Sequence, residues 1–186
     1  MITREEALAL LRRYLRNEKM IKHCLAVEAI MRALARRLGE DEELWGLIGL
    51  LHDIDYEVVG RDPRVHGLKA LEILEGKLPR LALEAIAAHN EKNGFKPCRE
   101  AERVVAALRA ADHLSGLIVA TALVMPHKRL SEVKLSTLVK KFKAKDFARG
   151  VDRARIREVE KLGISLEEFM DLGLKALQSI ANELGL

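Results

Sequence analysis

The sequence predicts an all-α protein, and three observations carry that expectation. Ala, Leu, Glu, Lys and Arg dominate a chain with only 4% aromatic residues and four prolines, the composition of helices rather than strands. Apolar residues recur at steps of three and four, the period of an amphipathic helix. Helix-opening signals and glycine or proline stops punctuate the chain at helical lengths. With 186 residues, one domain with a sizeable core is expected: a single helical bundle with additional C-terminal helices.

The elements follow in order. Thr3-Arg4-Glu5-Glu6 has the form of a capping box and opens a helix to about Arg16,. Asn17 caps the next helix, which runs to Leu38, stops at Gly39, and places Met20, His23, Val27, Ile30, Met31, Leu34 and Leu38 on its inner face. Asp41 caps a third, from Glu42 to about Asp53, in which Gly46 and Gly49 lie one turn apart. Glycine costs up to about 1 kcal/mol inside a helix, so close approach of a neighbouring helix is the expected reason for both. Tyr56 to Arg64, with Gly60, Asp62 and Pro63, predicts a loop. A short helix from Val65 to about Gly76 carries His66, Ala70, Ile73 and Leu74 on one face. Pro79 starts another, ending near His89, with Leu81, Ala82, Ala85, Ile86 and His89 inward,. A long helix from about Arg99 to Val124 has the stripe Ala101, Val105, Leu108, Asp112, Ser115, Val119, Leu123. Asp112 therefore stands where the pattern calls for an apolar residue. Beyond Pro126, helices near 131–143, 146–162 and 165–184 are expected, the last opened by a second capping box, Ser165-Leu166-Glu167-Glu168. No histidine beyond His127 and no inward carboxylate is expected in that tail. Residues 1–126 are thus expected to form the core, and 127–186 an extension packed on the same domain as support, lid or oligomerisation surface.

Charge narrows the function classes. Thirty-two basic residues face 28 acidic ones, a net +4 with both signs interspersed. This predicts a solvated surface mildly favouring anionic ligands and no specific nucleic-acid partner. The basic cluster Lys140-Lys141-Phe142-Lys143-Ala144-Lys145 is expected to be a solvated helix end. Cys24 and Cys98 build no disulfide framework, and neither has a partner at Cys-x-x-Cys spacing,. No apolar leader opens the chain, and charges interrupt every candidate membrane span, so a reduced cytoplasmic setting without a membrane partner is the expectation. Oligomeric state is left open.

The chemistry concentrates in Leu50-Leu51-His52-Asp53-Ile54-Asp55-Tyr56-Glu57. An ionised aspartate in so apolar a run costs several kcal/mol to desolvate unless something offsets it. A cation does so naturally, because His and Asp together suit Mn, Fe, Zn, Co or Ni. A lone His-Asp pair at a helix end is also explained by capping. Yet His23, His52-Asp53, His66, His89 and Asp112 all fall on inner faces or ends of five predicted helices. Buried imidazoles and carboxylates need partners, and shared cations would satisfy them together. His113, one residue round from Asp112, and His127, behind a proline, fit less well.

The order His, His-Asp, Asp, with His-Asp closing an apolar helix, resembles the HD superfamily of metal-dependent phosphohydrolases over roughly residues 20–125. The resemblance implies that residues 1–126 form an HD-type hydrolase core with His23, His52, Asp53 and Asp112 as metal ligands. His66 and His89 resemble the two extra ligands of members that hold two ions, in which the aspartate of the pair bridges both. It further implies one or two divalent transition ions and hydrolysis of a phosphoester or phosphoanhydride in a nucleotide or small phosphorylated metabolite. His-Asp-Ile-Asp departs from the His-Asp-Ile-Gly of many bacterial relatives, with Asp55 in the glycine's place. No Gly-Tyr-Pro signature of cyclic-di-GMP phosphodiesterases is present. Asp53, Asp55 and Lys69 are the catalytic candidates, Asp55 and Glu57 as ligand orienters or proton carriers and Lys69 as a phosphate contact. Lys69, Asn90, Arg61 and, more weakly, Lys92 are the substrate-binding candidates; Tyr56 and Phe95 are the nearest aromatics for a base. A non-catalytic HD-type nucleotide-binding module and an HD-type di-iron oxygenase are the alternatives.

Overall fold

Helix α2 (Glu18–Leu38) is the longest apolar stripe of the N-terminal half, and the other elements are laid against it. Ile21, Cys24, Val27, Ile30, Met31 and Leu34 are buried along it, at the helical steps that bring them to one face,. The computed structural model describes residues 1–186 and contains helices without strands. In chain order these are α1 (Arg4–Tyr14), α2, α3 (Glu42–Leu51), α4 (Leu68–Leu74), α5 (Arg80–His89), α6 (Glu102–Leu123), α7 (Leu135–Lys143), α8 (Arg153–Arg157), α9 (Leu166–Ser179) and α10 (Ala181–Leu184).

Five α-helix starts are fixed by side chains, α8 among them through Asp152, which accepts from the Ala154 N–H. Thr3 and Glu6 close a reciprocal capping box; Asn17 accepts from the Lys19 N–H, Asp41 from Leu44 and Ser165 from Glu168. Each satisfies a backbone donor that the helix leaves without a partner. Helix α3 lies along α2 at very short range. A Cβ at Gly49 would stand 3.0 Å from the Glu28 Cα and N, so the backbones meet where glycine leaves room.

Helix α6 crosses between the two halves, packing on α2 and α5 on one side and on α7, α8 and α9 on the other. By length and composition alone Arg99–Leu123 would suit a bilayer, contrary to the expectation that no run does; 67% of its apolar window is buried, which accounts for that composition. Leu108 and Val27 share one hydrophobic cluster with Ile156, Phe169 and Leu177. Residues 127–186 therefore complete the core formed by residues 1–126.

Several boundaries differ from expectation for physical reasons. Helix α3 ends at Leu51, so His52 and Asp53 occupy the turns that follow. The short helix begins at Leu68, because Gly67 sits at φ 90° and leaves His66 in the preceding turn. Leu123, expected inward, is 48% exposed where α6 runs out of the bundle. The helix expected over 146–162 is reduced to α8 and a 3-10 turn at Glu158–Leu162. Its first half is a run of turns in which the Arg153 guanidinium donates to the carbonyls of Lys141, Phe142, Ala144, Phe147, Ala148 and Val151. Carbonyls that a continuing helix would pair along its own backbone are taken up by one side chain.

Candidate metal centre

The turn after α3 brings His52 and Asp53 to the middle of the bundle, and four other elements bring the rest. His23 comes from α2, His66 from the turn before α4, His89 from the last residue of α5, and Asp112 from α6. His52 is fully buried and Asp53 is 7% exposed. Five of the six side chains line a cleft of about 560 Å3, and His52 lies buried behind them. All six ligand positions proposed from sequence therefore meet at one place.

Their hydrogen bonds fix which ring nitrogen faces inward. His52 Nδ1 stands 2.8 Å from the Gly49 carbonyl oxygen and His89 Nδ1 2.5 Å from that of Ile86. An acceptor at Nδ1 places the proton there, so Nε2 presents its lone pair to the centre. His66 obeys the same logic, its Nδ1 2.7 Å from Asp55 Oδ1. Behind His23 Nδ1, Ser115 Oγ lies at 3.4 Å while donating to the Asp112 carbonyl. All four imidazoles are thus held from behind with Nε2 inward.

Asp53 divides its two oxygens between two imidazole pairs. Oδ2 lies 3.6 Å from His23 Nε2 and 3.3 Å from His52 Nε2. Oδ1 lies 3.0 Å from His66 Nε2 and 3.5 Å from His89 Nε2. Asp112 Oδ1 joins the first pair, 3.0 Å from His23 Nε2 and 3.9 Å from His52 Nε2. Donor atoms of His23, His52 and Asp112 lie within 4.8 Å of one another, and so do those of His52, Asp53 and His89.

These residues fit divalent cations on chemical grounds. His52 Nε2 is a buried polar atom without a hydrogen-bond partner, a costly condition that a ligated ion relieves. His66 Nε2 and His89 Nε2 face each other at 3.2 Å. With both Nδ1 atoms donating outward, two lone pairs would oppose there unless a positive charge lies between or beside them. Neutral imidazoles with carboxylates form a borderline-hard donor set. Electrostatics point the same way. Burial alone would lower the His52 imidazole, but Asp53 and Asp112 outweigh it and raise it to about 9. At His66 burial is likewise outweighed by Asp53 and Asp55, again to about 9. Burial would raise Asp53, yet the neighbouring imidazoles of His52, His66 and His89 hold it well below its ordinary range. Asp112 is held down against burial by His23 and His52. A field that favours a proton on these rings also favours a cation among them.

The residues outside the ligand cluster sort differently from the sequence expectation. Asp55 is fully buried with both oxygens committed, Oδ1 to His66 and Oδ2 to the Gly67 and Ala70 amides at 2.7 and 3.0 Å. These bonds place it to orient His66. Gly67 permits this by its positive φ and by its approach to Ala87, whose carbonyl oxygen would stand 2.9 Å from an added Cβ. Glu57 accepts from the Arg16 and Asn17 amides and ties the loop to the α1–α2 junction. Lys69 pairs with Glu72 on the surface, and Arg61, at φ 64°, lies over the Tyr56 ring; neither lines the cleft. Asn90 does line it, but its amide is spent on the Pro63 and His66 carbonyls. Lys92 and Tyr56 line the cleft, and Phe95 does not.

His113, which the sequence left open between cleft and solvent, lines the cleft, and so do Asp152 and Arg155, which sequence reasoning missed. His113 Nδ1 accepts the Asp152 N–H at 3.0 Å, which leaves the proton on Nε2. Arg155 pairs with Glu91 and Glu158. Arg109 takes the Ala88 and His89 carbonyls and pairs with Glu91 at 3.2 Å, capping α5 at its metal-facing end. His113 was legible as a neighbour of Asp112; nothing in the sequence placed residues 40 positions away beside it.

A family model described as HD domain matches residues 20–117, just over half of the chain and all six converging residues. Comparison with curated proteins gave no match, and neither did comparison with solved structures.

Proposed function

The chain belongs to the HD domain family, and from that premise we propose that it is a metal-dependent phosphohydrolase acting on a nucleotide or another small phosphoester or phosphoanhydride. The observation that carries this reading is the division of Asp53, with one oxygen toward His23 and His52 and the other toward His66 and His89. His23, His52, Asp53 and Asp112 would hold one divalent cation, and Asp53, His66 and His89 would hold a second. When bound, such ions supply Lewis acidity toward phosphoryl oxygens and lower the pKa of water toward neutrality.

The remaining work belongs to the protein. Phosphoryl transfer depends mainly on positioning and charge stabilisation. Asp55 locks the His66 ring, and the Gly49 and Ile86 carbonyls lock His52 and His89, so the donor atoms are placed before substrate arrives,. Lys92 supplies positive charge in the cleft, and Tyr56 supplies the aromatic face that a base would use. His113 presents an N–H donor within the cleft.

The test begins with metal content. Protein purified without chelator is expected to retain transition metal, and Asp53→Ala to retain only a trace. A panel of nucleotides and phosphoesters is then assayed with Mn, Co, Ni, Mg or Fe. Trace metal in both proteins with equal stability would overturn the reading. Retained metal with no hydrolysis across the panel would instead favour a non-catalytic nucleotide-binding module.

A further inference from the structure

The balanced charge of the whole chain conceals where the charges sit. Residues 140–157 hold eight Lys or Arg against two Asp, a net +6 in a chain whose total is +4, so all other residues together carry −2. Part of this segment forms a groove that meets the metal cleft. Lys143, Lys145, Arg149 and Arg157 line it, and Asp152 lines both it and the cleft.

The groove is built rather than loose. Arg153 joins six backbone carbonyls between Lys141 and Val151, so the turns bearing Lys143, Lys145 and Arg149 are tied to one half-buried guanidinium. The segment is also moored to the cleft through the Asp152 amide on His113. Arg149 and Arg157 have only exposed, loosely held partners in Asp146 and Glu160, and Lys143 and Lys145 have no ion-pair partner.

We propose that this groove is the track for a single strand of nucleic acid whose scissile phosphodiester enters the metal cleft. The proposal rests on the phosphohydrolase reading of that cleft and extends its substrate from a small phosphoester to a phosphodiester within a nucleic-acid strand. A row of separated cations suits repeating phosphates better than a mononucleotide, which the cleft alone accommodates. The depth of the ligands excludes an intact duplex, since His52 is fully buried and Asp53 nearly so; a single strand can bend its backbone to that floor. A bilayer is disfavoured because the large exposed apolar residues, Met1, Val58, Val65, Leu123 and Val124, all lie outside residues 140–157, and surface-binding segments need an apolar face to insert.

The test is equilibrium binding of a labelled phosphorothioate single strand of about 12 nucleotides, which resists hydrolysis, to the full-length protein. Four phosphate contacts give a log–log salt slope of about −2.8, or about fifty-fold weaker binding at 200 than at 50 mM salt. Lys143→Gln with Lys145→Gln, and separately Arg149→Gln with Arg157→Gln, each halve the slope. Two independent pairs guard against one that folds poorly. A strand of about three nucleotides binds at least tenfold more weakly than the longer one. An unchanged slope in both variants, equal binding of the short strand, or equal competition by phosphatidylserine vesicles would overturn the proposal. Metal content of the same variants stays at the wild-type level, so failure of the groove is distinguished from failure of the metal cleft.

Discussion

At the scale of single residues, the centre works by fixing donors from behind. Asp55 is the clearest instance: it accepts from the His66 ring and from two backbone amides, all in a dry environment. Asp55→Ala leaves those donors without an acceptor. The expected outcome is a loss of about 1–3 kcal/mol by thermal unfolding and metal affinity about 10–100-fold weaker by titration. Ligand substitutions divide by which oxygen of Asp53 they face. His66→Ala is expected to remove one equivalent of metal in elemental analysis, whereas Asp53→Ala removes both, because the carboxylate is common to the two imidazole pairs. Equal losses in the two variants would argue for a single ion.

At the scale of elements, the site depends on how closely helices approach and how their ends are tied. Gly49→Ala places a methyl 3.0 Å from the α2 backbone at Glu28, so the helices must part; about 1–3 kcal/mol of destabilisation is expected by chemical denaturation. Gly46→Ala meets the Arg32 side chain instead, which can yield, and costs less. A pH-dependent tie joins α5 to the segment leading into α6. Glu84 accepts from the Cys98 amide and from Arg80, and these bonds lower its carboxyl from the ordinary 4.5 to about 2. A lowered carboxyl stabilises the fold above its unfolded value and loses that contribution as pH falls toward the folded one. Glu84→Gln therefore melts below wild type at pH 7, and the gap closes between pH 4.5 and about 2. A gap that widened on acidification would contradict the assignment.

At the scale of the whole molecule, residues 127–186 share one core with the helices that carry the candidate metal centre. Phe169 is fully buried and shares the core with Val27 and Leu108. Phe169→Ala is expected to cost about 3–5 kcal/mol while calorimetry still shows one transition. Two separate transitions would mean that the tail folds as an independent unit. The same packing brings the tail to the cleft: α8 sits against α6, and its cap Asp152 and its Arg155 line the cleft with the candidate ligands.

The sequence by itself determined the helical class, the caps at Thr3, Asn17, Asp41 and Ser165, and the six residues that converge. These are local properties: a capping side chain reaches only two or three residues on, and a histidine or aspartate in an apolar stripe announces itself by breaking a period of 3.6. Tertiary structure decided what such patterns cannot encode. Asp55 and Lys69 were equal candidates on spacing, and only the fold buries one behind His66 and leaves the other beside Glu72 at the surface. The break at 144–152 was hidden because Arg153 looks like any helix arginine until the carbonyls it serves surround it. Arg155 and Asp152 joined the cleft through contacts spanning some 40 to 60 residues of chain. Periodicity says which way a side chain faces along its own helix. Which other elements it then meets depends on packing between distant segments, and that is settled only when the core closes.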